Sequence, residues 1–193
     1  MQKIPPAPDV LLSFPDDLPV PTDDGACEHL QNRLMPDVSL KSTEDQEINV
    51  SQLSGWNVIF CYPMTGRPGF TIPEGWAQIP GAAGCTPQVC SYRDNLAAFK
   101  PLGVGIYGVS TQTTGLQREA VNRLALTYPL LSDADFSLAS ALKLPMFEIE
   151  SLKLIKRLTL ILNNGEIKKC FYPVYPPDKN VAQVMDWLLK NQA

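Results

Sequence analysis

Two short and almost uninterrupted apolar runs, WNVIFCY at Trp56 to Tyr62 and VGIYGVS at Val104 to Ser110, constrain this chain more than any other feature. Such a run reads as a strand covered on both faces, because a strand open to water on one side would alternate with polar residues. Between the runs, Thr86 to Lys100 has the pattern of a helix. Pro87 falls in its first turn, and Val89, Tyr92, Leu96 and Phe99 share one face. Gly115 to Leu126 reads as a second amphipathic helix, Pro129 to Leu131 as a short strand and Asp135 to Leu142 as a third helix.

The flanks complete the pattern. Asp37 to Leu40 and Glu47 to Val50 look like short strands around the polar turn at 42–46. Leu158 to Leu162 and Glu166 to Tyr172 flank Asn163, Asn164 and Gly165, the chemistry of a tight hairpin turn. Asp178 is placed to cap a last helix running to Leu189, with Val181, Val184, Met185, Leu188 and Leu189 on its apolar side. This order predicts an α/β protein with a thioredoxin-like fold: a mixed central β-sheet flanked by helices.

Composition narrows the function. A chain of 193 residues suits one domain with additions, and 16 Lys and Arg against 20 Asp and Glu leave a net charge of -4. That balance argues against nucleic acid or an anionic membrane as a partner. No apolar run approaches the roughly 20 residues of a membrane span. Six of the 18 prolines lie between Pro5 and Pro21 and five more between Pro63 and Pro87. Proline fixes φ and removes a donor, so both stretches read as extended or looped chain. The expected organisation is a proline-rich extension over 1–33 and a domain over 34–193 with an inserted loop at about 64–84.

The five cysteines are Cys27, Cys61, Cys85, Cys90 and Cys170. An odd count without a secretory signal predicts reduced thiols and a cytoplasmic protein. No CxxC pair is present, Cys27-Glu28-His29 is too sparse for a metal site, and His29 is the only histidine. A His-rich metal site and a zinc ribbon or finger are not expected, and any Ser-His-Asp or Cys-His catalysis would depend entirely on His29.

The chemistry concentrates in Gly84-Cys85-Thr86-Pro87-Gln88-Val89-Cys90, where the long loop enters a helix. A thiol at a helix N-terminus meets unpaired backbone N–H groups and the positive end of the dipole, which predicts a nucleophilic Cys85. Gly81 and Gly84 let backbone approach closely, suiting a small oxygen-containing substrate held by main-chain donors. Five helical residues separate Cys85 from Cys90, placing their Cα atoms roughly 8 to 9 Å apart. A disulfide needs about 7 Å or less, so pairing them would require the first turns to unwind. The bland reading of Cys90 is a small buried hydrophobe.

The run GCTPQVCSYRD, Gly84 to Asp94, preceded by Tyr62-Pro63, resembles the peroxiredoxins, and within them the bacterioferritin-comigratory-protein subfamily with its C-x4-C pair. The end of the second strand, Gly108-Val109-Ser110, matches in order, as do Pro129 to Asp133 and Arg157 to Leu160 with the Asn-Asn-Gly turn, so the likeness spans about Leu34 to Leu189. The resemblance implies that Cys85 is the peroxidatic cysteine, that Cys90 resolves its sulfenic acid as an intramolecular disulfide, and that Arg157 stabilises the thiolate and the peroxide oxygens. It implies a peroxide substrate, thioredoxin or a similar dithiol reductant, no cofactor, and a monomer or homodimer. Arg157 without the family would be a surface cation beside Lys156.

One departure from the family is concrete. Its motif places Thr or Ser three residues before the cysteine, where this chain has Ala82, and about 15 residues are inserted after Pro63. Thr65 is the candidate for the missing hydroxyl, with Gly84 as a substrate-binding backbone position. Arg67 and Arg93 are possible second cations, Cys61 is core, and Cys27 and Cys170 are alternative resolving thiols. The function expected is a thiol peroxidase for hydrogen peroxide or small organic hydroperoxides. The alternatives are a non-catalytic redox sensor on the same fold and a protein dithiol-disulfide oxidoreductase.

Overall fold

The computed structural model describes residues 18–192. Seven strands form one mixed sheet: β1 (Ser39–Ser42), β2 (Glu47–Asn49), β3 (Trp56–Cys61), β4 (Gly105–Ser110), β5 (Leu130–Ser132), β8 (Leu158–Asn163) and β9 (Glu166–Phe171). Their order is β2-β1-β5-β4-β3-β8-β9, with β3, β4 and β5 parallel and the remaining pairings antiparallel. The helices are α1 (Cys85–Phe99), α2 (Thr114–Leu124), α3 (Ser137–Leu142) and α4 (Asn180–Asn191).

The two apolar runs become the sheet centre, β3 beside β4. Alternate residues of β3, and Tyr62 just after it, serve opposite cores: Val58, Phe60 and Tyr62 pack with α1 and α4, whereas Ile59 and Cys61 pack with α3. All five are fully buried, which explains why the run has no polar alternation. Phe60 stacks on Tyr92 of α1 with ring centroids 4.2 Å apart, fixing that helix over the strand. Its far end is tied by Asn180 of α4, whose Oδ1 accepts from Tyr92 (2.8 Å) and from Thr159 of β8 (2.7 Å).

The β8–β9 turn forms as expected, with Asn164 at φ 49° and Gly165 at φ 75°. A Cβ on Gly165 would lie 2.7 Å from the Ser51 carbonyl oxygen, so both backbone conformation and space demand glycine there. Other expectations shift. Val50 leaves β2 for a 3-10 turn because Asn49 accepts from the Ser51 N–H at 3.0 Å. Asp178 does not cap α4; it sits inside a preceding 3-10 turn, Pro177–Lys179. The third helix starts at Ser137 rather than Asp135, because Phe136 is left-handed at φ 62°. The buried Asp133 carboxylate accepts from the N–H groups of Leu138 (2.8 Å) and Ala139 (2.9 Å) in its first turn.

A hairpin absent from the sequence expectation, β6 (Met146–Ile149) with β7 (Leu152–Ile155), forms a separate two-stranded sheet. It receives the long segment after β3. Met64, Trp76 and Ala82 are buried together with Leu154 of β7, and Trp76 faces Phe147 of β6 at 5.9 Å. The stretch expected as an inserted loop is therefore packed chain with a small core of its own.

The expected extension, 1–33, falls partly outside the described residues. Its described part is docked, so the packed domain begins before Leu34. Cys27 and Leu30 are buried in the α3-side core, His29 donates from Nε2 to the Leu142 carbonyl (2.8 Å), and Arg33 donates to the Ala141 carbonyl (2.9 Å). Among the described residues no helix is long and apolar enough to cross a membrane.

Asp133 provides a direct check on this fold. Asp133→Ala leaves the α3 donors buried and unpaired, and should lower unfolding stability by about 2 kcal/mol, measured as a lower urea midpoint at unchanged slope.

Candidate active site

Cys85 is the first residue of α1. Gly84 before it is left-handed at φ 97°, a conformation that glycine enters freely, and it turns the incoming chain sharply into the helix. The Gly84 carbonyl accepts from the Gln88 N–H at 3.1 Å, so the first turn is closed directly beneath the sulfur. Cys85 is 4% exposed.

Arg157 reaches this thiol from the short link between β7 and β8. Its backbone is held by Lys156 N–H to the Pro145 carbonyl (2.8 Å) and by the Arg157 carbonyl, which accepts from Val174 N–H (3.4 Å). Arg157 is 3% exposed, so the charge of its guanidinium must be met by acceptors on the spot. Nη2 donates to Cys85 Sγ at 3.2 Å and to the carbonyls of Ala82 (3.2 Å) and Ala83 (3.0 Å). Nη1 donates to Gln88 Oε1. The Cys85 thiol itself donates to the Ala82 carbonyl at 3.5 Å. A fixed cation and a helix N-terminus thus converge on one sulfur atom, an arrangement that strengthens as negative charge develops there.

The sequence-derived residues separate into groups. Cys85, Gly84 and Arg157 come together. Thr65 is buried, but its hydroxyl donates to Gln112 Oε1 (3.1 Å); its N–H donates to the same oxygen (2.9 Å) and Gln112 Nε2 donates back to the Thr65 carbonyl (3.2 Å). Its hydroxyl is therefore directed at Gln112, and the polar atom of residue 82 facing the sulfur is a carbonyl oxygen. Arg67 is exposed and lies over the Phe70 ring. Arg93 pairs with Asp94 (2.7 Å) and donates to the Leu124 carbonyl (2.6 Å).

Cys90 is buried on the same side of the sheet as Cys85, and burial pushes its thiol above the ordinary value near 9. Helix α1 runs unbroken through both residues, so in this state their Cα atoms are held beyond disulfide reach. All five cysteines are free thiols. Cys27, Cys61 and Cys170 belong to the opposite core, so in this state the sheet lies between them and Cys85.

Gln88 is the residue the sequence reading passed over. It is fully buried, holds Arg157 through Oε1, and its Nε2 has no hydrogen-bond partner. Its position three residues after Cys85, one helical turn on, was a usable signal. Beside Arg157 a cavity of about 200 Å³ opens between Val20 and Pro21, Gly81, Phe147 and Val174. Arg157 and Lys156 line it as well. Among the described residues there is no cluster of three or more metal-ligating side chains.

Replacing Arg157 by Met removes the donor to sulfur while filling much of the space. Alkylation of Cys85 by iodoacetamide at neutral pH should slow by about tenfold or more, the worth of one charge-assisted hydrogen bond, read by mass spectrometry of the peptide.

Comparison with known proteins adds an independent line. A family model described as Redoxin matches residues 30–185. Peroxiredoxin Q, chloroplastic, of Gentiana triflora is 23% identical over 185 residues, covering 92% of this chain and 77% of that one. Peroxiredoxin Bcp of Escherichia coli K12 is 28% identical over 103 residues, covering 53% and 56%. Among solved structures, peroxidoxin BcpB from Mycobacterium tuberculosis superposes with a TM-score of 0.68 at 20% identity, covering 84% of this chain and 98% of that one. Peroxiredoxin Q of Xanthomonas campestris gives 0.67 at 20%, covering 83% and 97%.

Proposed function

Because the chain belongs to the Redoxin family, we propose that it is a thiol-dependent peroxidase, with Cys85 as the peroxidatic and Cys90 as the resolving cysteine. The observation that carries this reading is the buried Arg157 guanidinium donating to a thiol at the first residue of a helix. Two fixed sources of positive potential meet at the sulfur, so the site needs neither the single histidine nor a metal to use it as a nucleophile.

The Cys85 thiolate attacks one peroxide oxygen of ROOH. The O–O bond breaks, the sulfur becomes a sulfenic acid, and the leaving RO⁻ takes a proton to become an alcohol, or water when the substrate is hydrogen peroxide. Arg157 N–H groups face the oxygens as charge moves from sulfur to leaving group. The first turns of α1 then unwind, Cys90 attacks the Cys85 sulfur, water departs and a disulfide forms. A dithiol reductant of the thioredoxin type reopens it by exchange, returning two electrons and two protons. The redox equivalents stay on sulfur throughout, and no prosthetic group is invoked.

The departure at Ala82 sharpens the reading. A hydroxyl at this position would orient peroxide, whereas here the residue offers a carbonyl that accepts from both the thiol and Arg157. The same observation favours a second reading, a sensor that is oxidised once and does not cycle. The bacterial and plant relatives named above are peroxiredoxins by name, which supports the peroxidase instead.

Turnover of hydrogen peroxide and an organic hydroperoxide with thioredoxin and its reductase decides between them. Steady NADPH consumption lost in Cys85→Ser is expected, with a Cys85–Cys90 disulfide in the non-reducing peptide map. Stoichiometric oxidation without turnover would leave the sensor. The resolving step should also accelerate as pH rises toward 9. Cys90 is held protonated while folded, and unwinding returns it to its ordinary value near 9, so rising pH favours both the unwound turn and the attacking thiolate. Stopped-flow tryptophan fluorescence reads that rate; a flat profile from pH 6 to 9 would contradict it.

A further inference from the structure

The three thiols unused by the proposed chemistry are not scattered. The described segment before β1 runs antiparallel along β9, the edge strand of the large sheet. Lys156 Nζ donates to both Asp24 Oδ2 (3.0 Å) and Tyr172 Oη (3.5 Å). Cys170 lies close enough to Cys27 in the same core to perturb its thiol. Asn32 N–H donates to the Ile167 carbonyl at 2.8 Å, and Ile167 N–H to the Arg33 carbonyl at 2.9 Å. Leu34 forms a bridge with Glu166. The 3-10 turn Glu28–Leu30 interrupts the segment, but the pairing of Asn32, Arg33 and Leu34 with β9 fixes its course along that strand, and Cys27 and Cys170 pack into the same core.

We propose that Cys27 and Cys170 form a second, oxidisable disulfide site that latches this segment to the sheet edge. Both thiols are free in the reduced chain. Cys170 is half-buried and is the one a small oxidant reaches, while Cys27 is buried behind it. A hydroperoxide converts the Cys170 thiol to sulfenic acid and leaves as the alcohol. The Cys27 sulfur then displaces hydroxide from Cys170, and the Cys27 proton departs with it as water. The neighbouring Cys170 thiol, and burial, hold the Cys27 thiol well above the ordinary thiol range, so Cys27 serves as the proton-bearing partner and not as the first site of attack.

Cys61 is the third thiol of this core and does not compete. It lies on β3, and the sheet order β3-β8-β9 places two strand spacings between it and Cys170. That is about 9 to 10 Å, beyond the roughly 7 Å that a disulfide spans. The latch has a structural consequence near Arg157. Val20, Pro21 and Asp24 of the same segment wall the cavity beside the guanidinium, and in the reduced chain Asp24 is held there by Lys156 Nζ at 3.0 Å, an exposed ion pair of small worth. A covalent bond at Cys27 makes that wall permanent.

The test is kept apart from the peroxidase reading by using the full-length Cys85→Ser/Cys90→Ser chain. It is treated with ten equivalents of hydrogen peroxide, and thiols are blocked before trypsin digestion. Cleavage after Lys and Arg leaves Cys27 in peptide 4–33 and Cys170 in peptide 170–179. The expected result is these two peptides linked, on a monomer by non-reducing gel. The melting midpoint should rise by about 5 °C or more on oxidation, because the bond closes a long loop. Adding Cys27→Ser should remove both the link and the shift. Recovery of the two cysteines unlinked, reduced or hyperoxidised, would overturn the proposal, as would a link found only in dimers or through Cys61.

Discussion

The bond from the Arg157 guanidinium to the Cys85 sulfur is the interaction on which the rest of this structure depends. A buried cation must be surrounded by acceptors, and those that surround Arg157 come from one short stretch, residues 82–88, across the junction of loop and helix. The carbonyls of Ala82 and Ala83 end the long segment after β3, Gln88 belongs to the first turn of α1, and Cys85 opens that turn. The same group therefore fixes where the segment ends, where the helix begins and where the thiol points. Removing it would take the guanidinium donor from the Ala83 carbonyl, Gln88 Oε1 and the Cys85 sulfur together, which is why the site and the local fold are energetically coupled.

The sheet divides the sulfur chemistry into two compartments. Cys85 and Cys90 lie on the face covered by α1 and α4, and Cys27, Cys61 and Cys170 on the face covered by α3. The period-two alternation of β3 draws this boundary, since Cys61 and Tyr62 are adjacent in sequence and point to opposite cores. Within the first compartment the helix separates the two thiols when folded and allows them to meet only when it opens. That geometry suits the proposed cycle, in which peroxide meets the folded site and Cys90 meets the Cys85 sulfur only once the helix has unwound.

Much of this was legible in the sequence, for identifiable reasons. The strands β3, β4 and β8 and the helix α1 carry apolar runs or one-faced periodicity, β9 follows from the hairpin turn at Asn164-Gly165, and Gly84-Cys85 marks a second turn that backbone sterics make specific. The β6–β7 hairpin was not legible. Its strands have four residues each, and its turn contains Glu150 at φ 51° instead of glycine or asparagine. Asp178 has the composition of a cap, yet tertiary packing starts α4 at the buried Asn180. Thr65 was the nearest hydroxyl by sequence, and its capture by Gln112 depends on a loop 47 residues away. A backbone carbonyl at Ala82 in place of a hydroxyl leaves no trace in residue type. The docking of Cys27 on β9 was equally hidden, because a segment rich in proline reads as extended whether it floats or packs.

The most direct test of the central claim is where the first oxidation lands. With resolution blocked in Cys90→Ser, one equivalent of hydrogen peroxide is added in the presence of dimedone, and the labelled cysteine is located by mass spectrometry. The geometry predicts one sulfenic-acid label per chain, on Cys85. A label carried instead by Cys27, Cys61 or Cys170, with Cys85 left as an unmodified thiol, would contradict it.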